Sequence, residues 1–233
     1  MTQQQEAPRR VRLSRDLVLR TAVTLADQTG IDGLTMRTLS HELGVVPMAL
    51  YKHVANKEDL TDGMVDIVFG EVENPSGTDW KAAMRGRAVS MREALARHRW
   101  AVGQMESRMR PGPANLHHHN AVMACLRQAG FSFQTAVHTY SVLDSFTYGF
   151  ALQESVLPFG TPEESGQVAQ QKLDTQPSPA AAAEEYPYLV EVVAELRKSG
   201  YDYAVEFEIG LELLLEGIET LRPEWATAAT PAR

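Results

Sequence analysis

The residues of this chain best suited to chemistry lie together in PMALYKHVANK, between Pro47 and Lys57. A phenol, a lysine and an imidazole follow one another at Tyr51, Lys52 and His53, beside Met48 and Ala49. Leu50 and Val54 give this segment a narrow buried edge, which leaves the other side chains outward. A helix only about two turns long cannot hold together alone. With small, aromatic and basic groups on its outer face, it is built to lie on DNA. The competing reading is a pair of ordinary core helices joined by a turn.

Two other groups invite a chemical role. His117-His118-His119 suggests a metal, but consecutive helical residues point about 100° apart, so all three cannot face one ion. Ala121, Val122 and Met123 offer no ligand one turn further on. His138, Asp144 and Glu154 could form a catalytic set only by tertiary arrangement. The chain holds no His-Glu-x-x-His, no phosphate-cradling glycine loop and no ordered Ser/His/Asp set. The expectation is a protein that is not an enzyme, with no cofactor and no metal site.

The elements that must carry the Tyr51-Lys52-His53 face stand just upstream. Met36, Leu39 and Leu43 recur as one buried helical stripe. Thr35 sits where an N-cap belongs, Gly44 where a left-handed residue ends a helix, and Pro47 where a new helix opens. Helix, glycine turn and short second helix form the helix-turn-helix pattern. A helix over residues 14–29, capped by Ser14 and closed by Gly30, turns Val18, Ala22, Leu25 and Ala26 inward as the third wall. Asn56 caps a fourth helix, with Asp59 at the reciprocal capping-box position.

Charge divides the chain unevenly. The net charge is −8 over 233 residues. Residues 1–60 hold eight Arg/Lys against seven Asp/Glu, and the remainder hold fourteen against twenty-three. Arg9, Arg10, Arg12, Arg15 and Arg20 crowd the N-terminus against only Glu6 and Asp16. A DNA-reading head with phosphate-seeking arginines on an acidic body fits this asymmetry, although terminal arginines are often only solvated. No apolar run is long enough to span a membrane and no secretory signal is present, so a cytoplasmic protein without membrane contact is expected. The lone Cys125 excludes an intramolecular disulfide and reads as a small buried hydrophobe.

The expected fold is all-α. A basic flexible arm (residues 1–13) precedes a three-helix helix-turn-helix DNA-binding domain (14–74). A larger helical ligand-binding and dimerisation domain (75–222) follows, with a mobile loop at 158–187, and a tail closes the chain (223–233). Body helices are expected over 79–97, 99–110, 114–129, 132–157, 187–199 and 203–221, with Pro223 as the stop. Phe207, Leu211, Leu214, Ile218 and Leu221 form a heptad-like stripe, with Gly210 and Gly217 allowing close approach. Ser141, Ser145 and Gly149 form a matching small stripe. Both suggest a homodimer interface, against the alternative of tight packing within one chain.

The segment GLTMRTLSHELGVVPMALYKHVANKEDL strongly resembles the DNA-binding head of the tetracycline-repressor (TetR) family. The family signature runs here from Gly44 through Leu50-Tyr51-Lys52-His53-Val54 to Lys57. RPGPANLHHHNAVMACLRQAGFS, DSFTYGFALQE and FEIGLELLLEGIETL are similar to the family's C-terminal domain. The resemblance implies a homodimer whose body binds a small molecule and releases operator DNA. It makes Tyr51, His53 and Lys57 phosphate contacts, gives Arg37 a base or phosphate contact, and sets Pro47, Met48 and Ala49 at the groove-facing start of the recognition helix, with Thr35 beside them. On physical grounds Arg37, Pro47, Met48, Ala49 and Lys52 are the base-edge readers. For Lys52 a phosphate contact is an equal alternative. Glu106 stands where the family places a metal-binding histidine and Glu73 near where it holds the drug, so a magnesium–tetracycline complex bound in the family's way is not expected, and the acidic residues leave a cationic ligand open.

A drug-sized ligand needs an apolar cavity with a few polar groups. The residues expected to line one are Trp100, Met105, Met109, His118, Tyr140, Asp144 and Tyr148, unless they serve only core and interface. The function expected is a ligand-responsive repressor that binds a palindromic operator as a homodimer and is released by a small-molecule inducer. The alternative is an activator or constitutive regulator with the same head.

Overall fold

The computed structural model describes residues 12–105, 111–158, 161–174 and 183–228, and all regular structure among them is helical. The chain divides into two compact units, Met1–Asn74 with Glu93–Ala121, and Pro75–Arg92 with Val122–Arg233. The first unit therefore recruits part of what the sequence assigns to the body.

In the first unit, α1 (Arg15–Gly33) is capped by Ser14, whose hydroxyl accepts from Leu17 N. Its regular run breaks at Gly30, where φ is 75°. α2 (Met36–Glu42) starts at Thr35 with a reciprocal pair of bonds to Thr38. It ends in a Schellman turn: Gly44 N donates to His41 O and Val45 N to Ser40 O, with Gly44 at φ 64°. That left-handed residue turns the chain into α3 (Pro47–Leu50), and α4 (Lys57–Gly70) follows after Asn56. Val18, Ala22, Leu34, Leu39, Leu50, Leu60, Met64 and Val68 form the interior.

α5 (Trp80–Arg97) begins in the second unit and ends in the first. Within the helix expected over 99–110, the described residues form a 3-10 turn, Arg99–Ala101, followed by α6 (Val102–Met105). Residues 106–110, including Glu106 and Met109, lie outside the described residues. α7 (Pro113–Gln128) and α8 (Phe133–Ser155) follow. The loop expected at 158–187 contains α9 (Pro162–Asp174), which packs on α10 (Pro187–Ser199). Apolar periodicity misses α9 because part of its contact is made through a glycine. A Cβ on Gly166 would lie 2.8 Å from Leu196 O.

α11 (Tyr203–Ala228) continues past Pro223. Proline's fixed φ is itself helical, so it removes one backbone bond without ending this run. Trp80, Met84, Val122, Leu126, Phe131, Leu143, Phe207, Leu211, Leu215 and Ile218 form the core of the second unit. That corrects the expected interface stripe. Phe207 and Ile218 are buried in their own chain, and a Cβ on Gly210 would lie 2.7 Å from the Phe146 ring. Leu214 is half-buried against the same core. Ser141 and Ser145 remain exposed, and Gly149 and Gly217 face open space. Among the described residues, no helix is long and apolar enough to cross a membrane.

Candidate functional site

The candidate face between Pro47 and Lys57 is built from the turn upward. Pro47 opens α3 without a side-chain cap, and after Leu50 the chain continues as turns, with His53 N and Val54 N both bonded to Leu50 O. Leu50 and Val54 are buried beneath. Met48 is 73% exposed and Tyr51 46%. Arg37, Pro47, Lys52 and Lys57 are also exposed, while Ala49 and His53 are half-buried. Thr35 is exposed too, but its hydroxyl is engaged as the α2 cap.

The arginine-rich N-terminus is less free than its composition suggests. Arg20 pairs with Asp16 one turn back along α1. Arg15 reaches across the head to Asp59 in a two-pronged ion pair, at 3.0 and 2.6 Å, and donates to His53 O at 2.7 Å. Asp59 also accepts from Ala55 N at 2.7 Å, while its own N–H bonds the Asn56 side chain. The capping-box return therefore goes to Ala55 rather than to the cap residue. Arg12 is exposed, and Arg9 and Arg10 lie outside the described residues.

A second polar knot in the same unit ties α1 and α4 to the residues after α5. His98 sits with Nδ1 2.8 Å from Asp27 and Nε2 3.1 Å from Glu71, and Trp100 Nε1 donates to Asp27 at 2.7 Å. Arg97 also donates to Glu71. Burial opposes the Glu71 charge, but the hydrogen bonds from Arg97 and His98 outweigh it and hold this carboxyl below its ordinary range. Trp100, Met105 and His118, expected to line a ligand cavity, are all buried in this unit. His118 lies beside Phe69, with ring centres 6.0 Å apart. Asp66 of α4 accepts from Asn115 N near the start of α7.

In the second unit, polar groups stand inside an apolar core. Arg87 of α5 pairs with Asp144 of α8 at 2.6 Å, both buried, and its guanidinium lies 5.5 Å from the Tyr140 ring centre. Asp144 Oδ2 and Thr139 Oγ1 are buried without a hydrogen-bond partner among the described residues. Burial first, then the neighbouring Asp144 charge and a hydrogen bond with the Asp144 carboxylate, push the Tyr140 hydroxyl far above the ordinary phenol range, so it remains protonated. Tyr148 is half-buried on the same helix. Arg92 forms a separate two-pronged pair with Glu154 and lies over the Phe150 and Phe207 rings.

Two family models match the chain. The one described as bacterial regulatory proteins, tetR family, covers residues 18–64, and the one described as tetracyclin repressor-like, C-terminal domain, covers residues 73–222. The chain belongs to the TetR family of transcriptional regulators. Tetracycline repressor protein class A from Escherichia coli is 31% identical over 91% of this chain and 93% of its own length. The transcriptional repressor DrrR1 of Streptomyces coeruleorubidus is 30% identical over 90% and 78%. ActR of Streptomyces coelicolor, solved with actinorhodin, superposes with a TM-score of 0.72 at 28% identity, covering 90% of this chain and 98% of ActR.

The remaining sequence candidates of this TetR-family regulator fall as follows. Asp144 and Glu154, two of the three groups considered for catalysis, are each engaged by an arginine. His119 bonds Asn115 O, so the histidine triplet divides between a buried ring, a back-bonded ring and the exposed His117. Glu73 is exposed. Sequence reasoning missed Arg87, Asp27 and His98. The alternation of Arg and Ala in α5 hides which arginine turns inward, and Asp27 and His98 stand 71 residues apart.

Proposed function

We propose that this TetR-family regulator is a repressor that holds a palindromic operator as a homodimer and releases it when a small molecule enters its C-terminal domain. The observation supporting the ligand half is the pair of buried polar atoms, Asp144 Oδ2 and Thr139 Oγ1, that have no hydrogen-bond partner among the described residues and stand beside Arg87 and Tyr140. Buried polar atoms are costly unless bonded, and a ligand hydroxyl or amine would complete them. Tyr140, Asp144 and Tyr148 are the ligand residues in this reading, with Arg87 added.

On the DNA side, Tyr51, His53 and Lys57 hold phosphates, while Arg37, Pro47, Met48, Ala49 and Lys52 meet base edges beside Thr35. Two copies associate through the exposed faces of α8 and α11. Ser141, Ser145 and Gly149 stand on the first, with Val137 and Leu152 exposed along the helix and Val156 just past its end. Ile209, Leu213 and Gly217 stand on the second. Linkage requires that a ligand which weakens operator binding is itself weakened by operator.

The test begins with a duplex selected by the protein from a random-sequence pool. Its binding is then followed by anisotropy while actinorhodin or minocycline is added, these being the ligands of the solved ActR and of an Acinetobacter baumannii TetR variant. Selection of a palindrome and two chains per duplex support the reading. An asymmetric selected site bound by one chain sinks the homodimer, and tighter DNA binding on ligand addition sinks the repressor.

A further inference from the structure

Arg15 belongs by composition to the basic N-terminus that would reach for phosphates, yet both of its terminal nitrogens bond within the head. One terminal nitrogen bonds both the His53 carbonyl and Asp59, and the other bonds the second Asp59 oxygen. His53 is the last residue of the turns that follow α3. Asp59 stands in the first turn of α4 and also receives Ala55 N. Two points on the exit of the candidate face, the His53 carbonyl and the Asp59 carboxylate, are thus gathered on one side chain from the start of α1, and Asp59 in turn holds Ala55 N. The Arg15 hydrogen bond chiefly, and the Ala55 N–H after it, hold the Asp59 carboxyl below its ordinary range despite opposing desolvation.

We propose that Arg15 is a positioning residue for DNA recognition, acting through Asp59 and the His53 carbonyl to set the pose of residues 47–53, and not a phosphate contact. α3 has only four helical residues, and no side chain caps its start. So short an element takes its orientation from what grips its ends. Its start is fixed by the Gly44 turn, and its exit is fixed by Arg15. A planar guanidinium can serve a carboxylate with two nitrogens and still reach a carbonyl, and a lysine ammonium cannot reproduce that fork. The inference rests on the DNA-binding reading above.

The sign of one substitution separates the two roles. Asp59→Asn removes a negative charge from a DNA-facing head, so simple electrostatics expects tighter binding, while loss of the clamp expects weaker binding. The full-length protein and the variants Asp59→Asn, Arg15→Lys, Arg15→Ala and Arg15→Ala/Asp59→Asn are titrated against the duplex selected by the parent, at several salt concentrations. Each single variant is expected to lose about ten-fold in affinity. The double variant should lose no more than the worse single variant, because both remove one unit. The salt slope stays that of the parent, because no phosphate contact is lost.

Arg15→Ala with a slope smaller by about one phosphate, while Asp59→Asn binds as tightly as the parent or tighter, overturns the proposal. So does Arg15→Lys binding like the parent. Thermal melts of the same samples identify any variant that fails to fold, and Arg15→Lys, which keeps the charge, then decides. If the parent selects no duplex at all, the DNA-binding reading fails and not this refinement of it.

Discussion

Arg87 and Asp144 meet at 2.6 Å with side chains only 1% and 9% exposed, joining α5 to α8 inside the apolar core of the second unit. A buried pair of this kind contributes little net stability as a pair, because desolvation of both ions offsets their attraction. Its consequence lies in what happens when one partner is removed.

Arg87→Leu or Asp144→Leu alone is expected to destabilise the second unit by about 3–5 kcal/mol, since each leaves an uncompensated buried charge. The double substitution to apolar residues should recover most of that loss. Urea unfolding of the three variants checks it. Additive losses in the double variant would show that the two side chains do not act on one another.

The raised Tyr140 hydroxyl sets an alkaline limit. A group whose folded value is raised contributes stability that is complete below its unfolded value, 10.0, and is lost as pH rises beyond it. Stability is expected to fall above pH 10 and to fall less steeply in Tyr140→Phe. Unfolding followed by circular dichroism between pH 8 and about 11 measures this. Identical slopes in parent and variant would contradict it.

Glu71 sets an acid limit of opposite sign. Its carboxyl is held below the ordinary 4.5, so its contribution is complete above that value and lost as pH falls through the depressed one. Carboxylates accept and do not donate, so the His98 bridge between Asp27 and Glu71 loosens once Glu71 is protonated. Glu71→Gln should flatten the acid limb of a thermal-melt profile while barely moving the alkaline limb. An unchanged acid limb would rule this account out.

The two faces of α11 should respond differently. Phe207 is fully buried and stacked near Phe146, so Phe207→Ala is expected to cost about 3–5 kcal/mol in unfolding free energy. Leu213 is 71% exposed, and Leu213→Arg should leave the fold of each chain intact while converting a dimer to a monomer. Sedimentation velocity and chemical unfolding on the same preparations separate the two effects. A dimeric Leu213→Arg protein would move the interface off this face.

Much of the head was legible because its determinants are local. Ser14, Thr35 and Asn56 accept from backbone amides three residues on, and Gly44 takes the positive φ that its place between two helices demands. The exposed side of residues 47–54 follows from the same short-range geometry, since burying Leu50 and Val54 leaves Met48, Tyr51 and Lys52 outside. Where contact is made through a glycine instead of an apolar stripe, as between α9 and α10, periodicity was silent and the helix was expected as a loop.

Caps and turn, and with them membership of the TetR family, were determined by the sequence alone, because residues three or four apart meet whatever the rest of the chain does. Only the tertiary structure decided partners distant in sequence. Arg15 binds Asp59 across 44 residues and His98 binds Asp27 across 71, and neither residue type names its partner. It also decided which stripe of α11 faces inward. Apolar spacing is the same whether the partner surface is the chain's own core or a second copy, so only packing could assign Phe207 and Ile218 to the interior and leave Ile209 and Leu213 exposed.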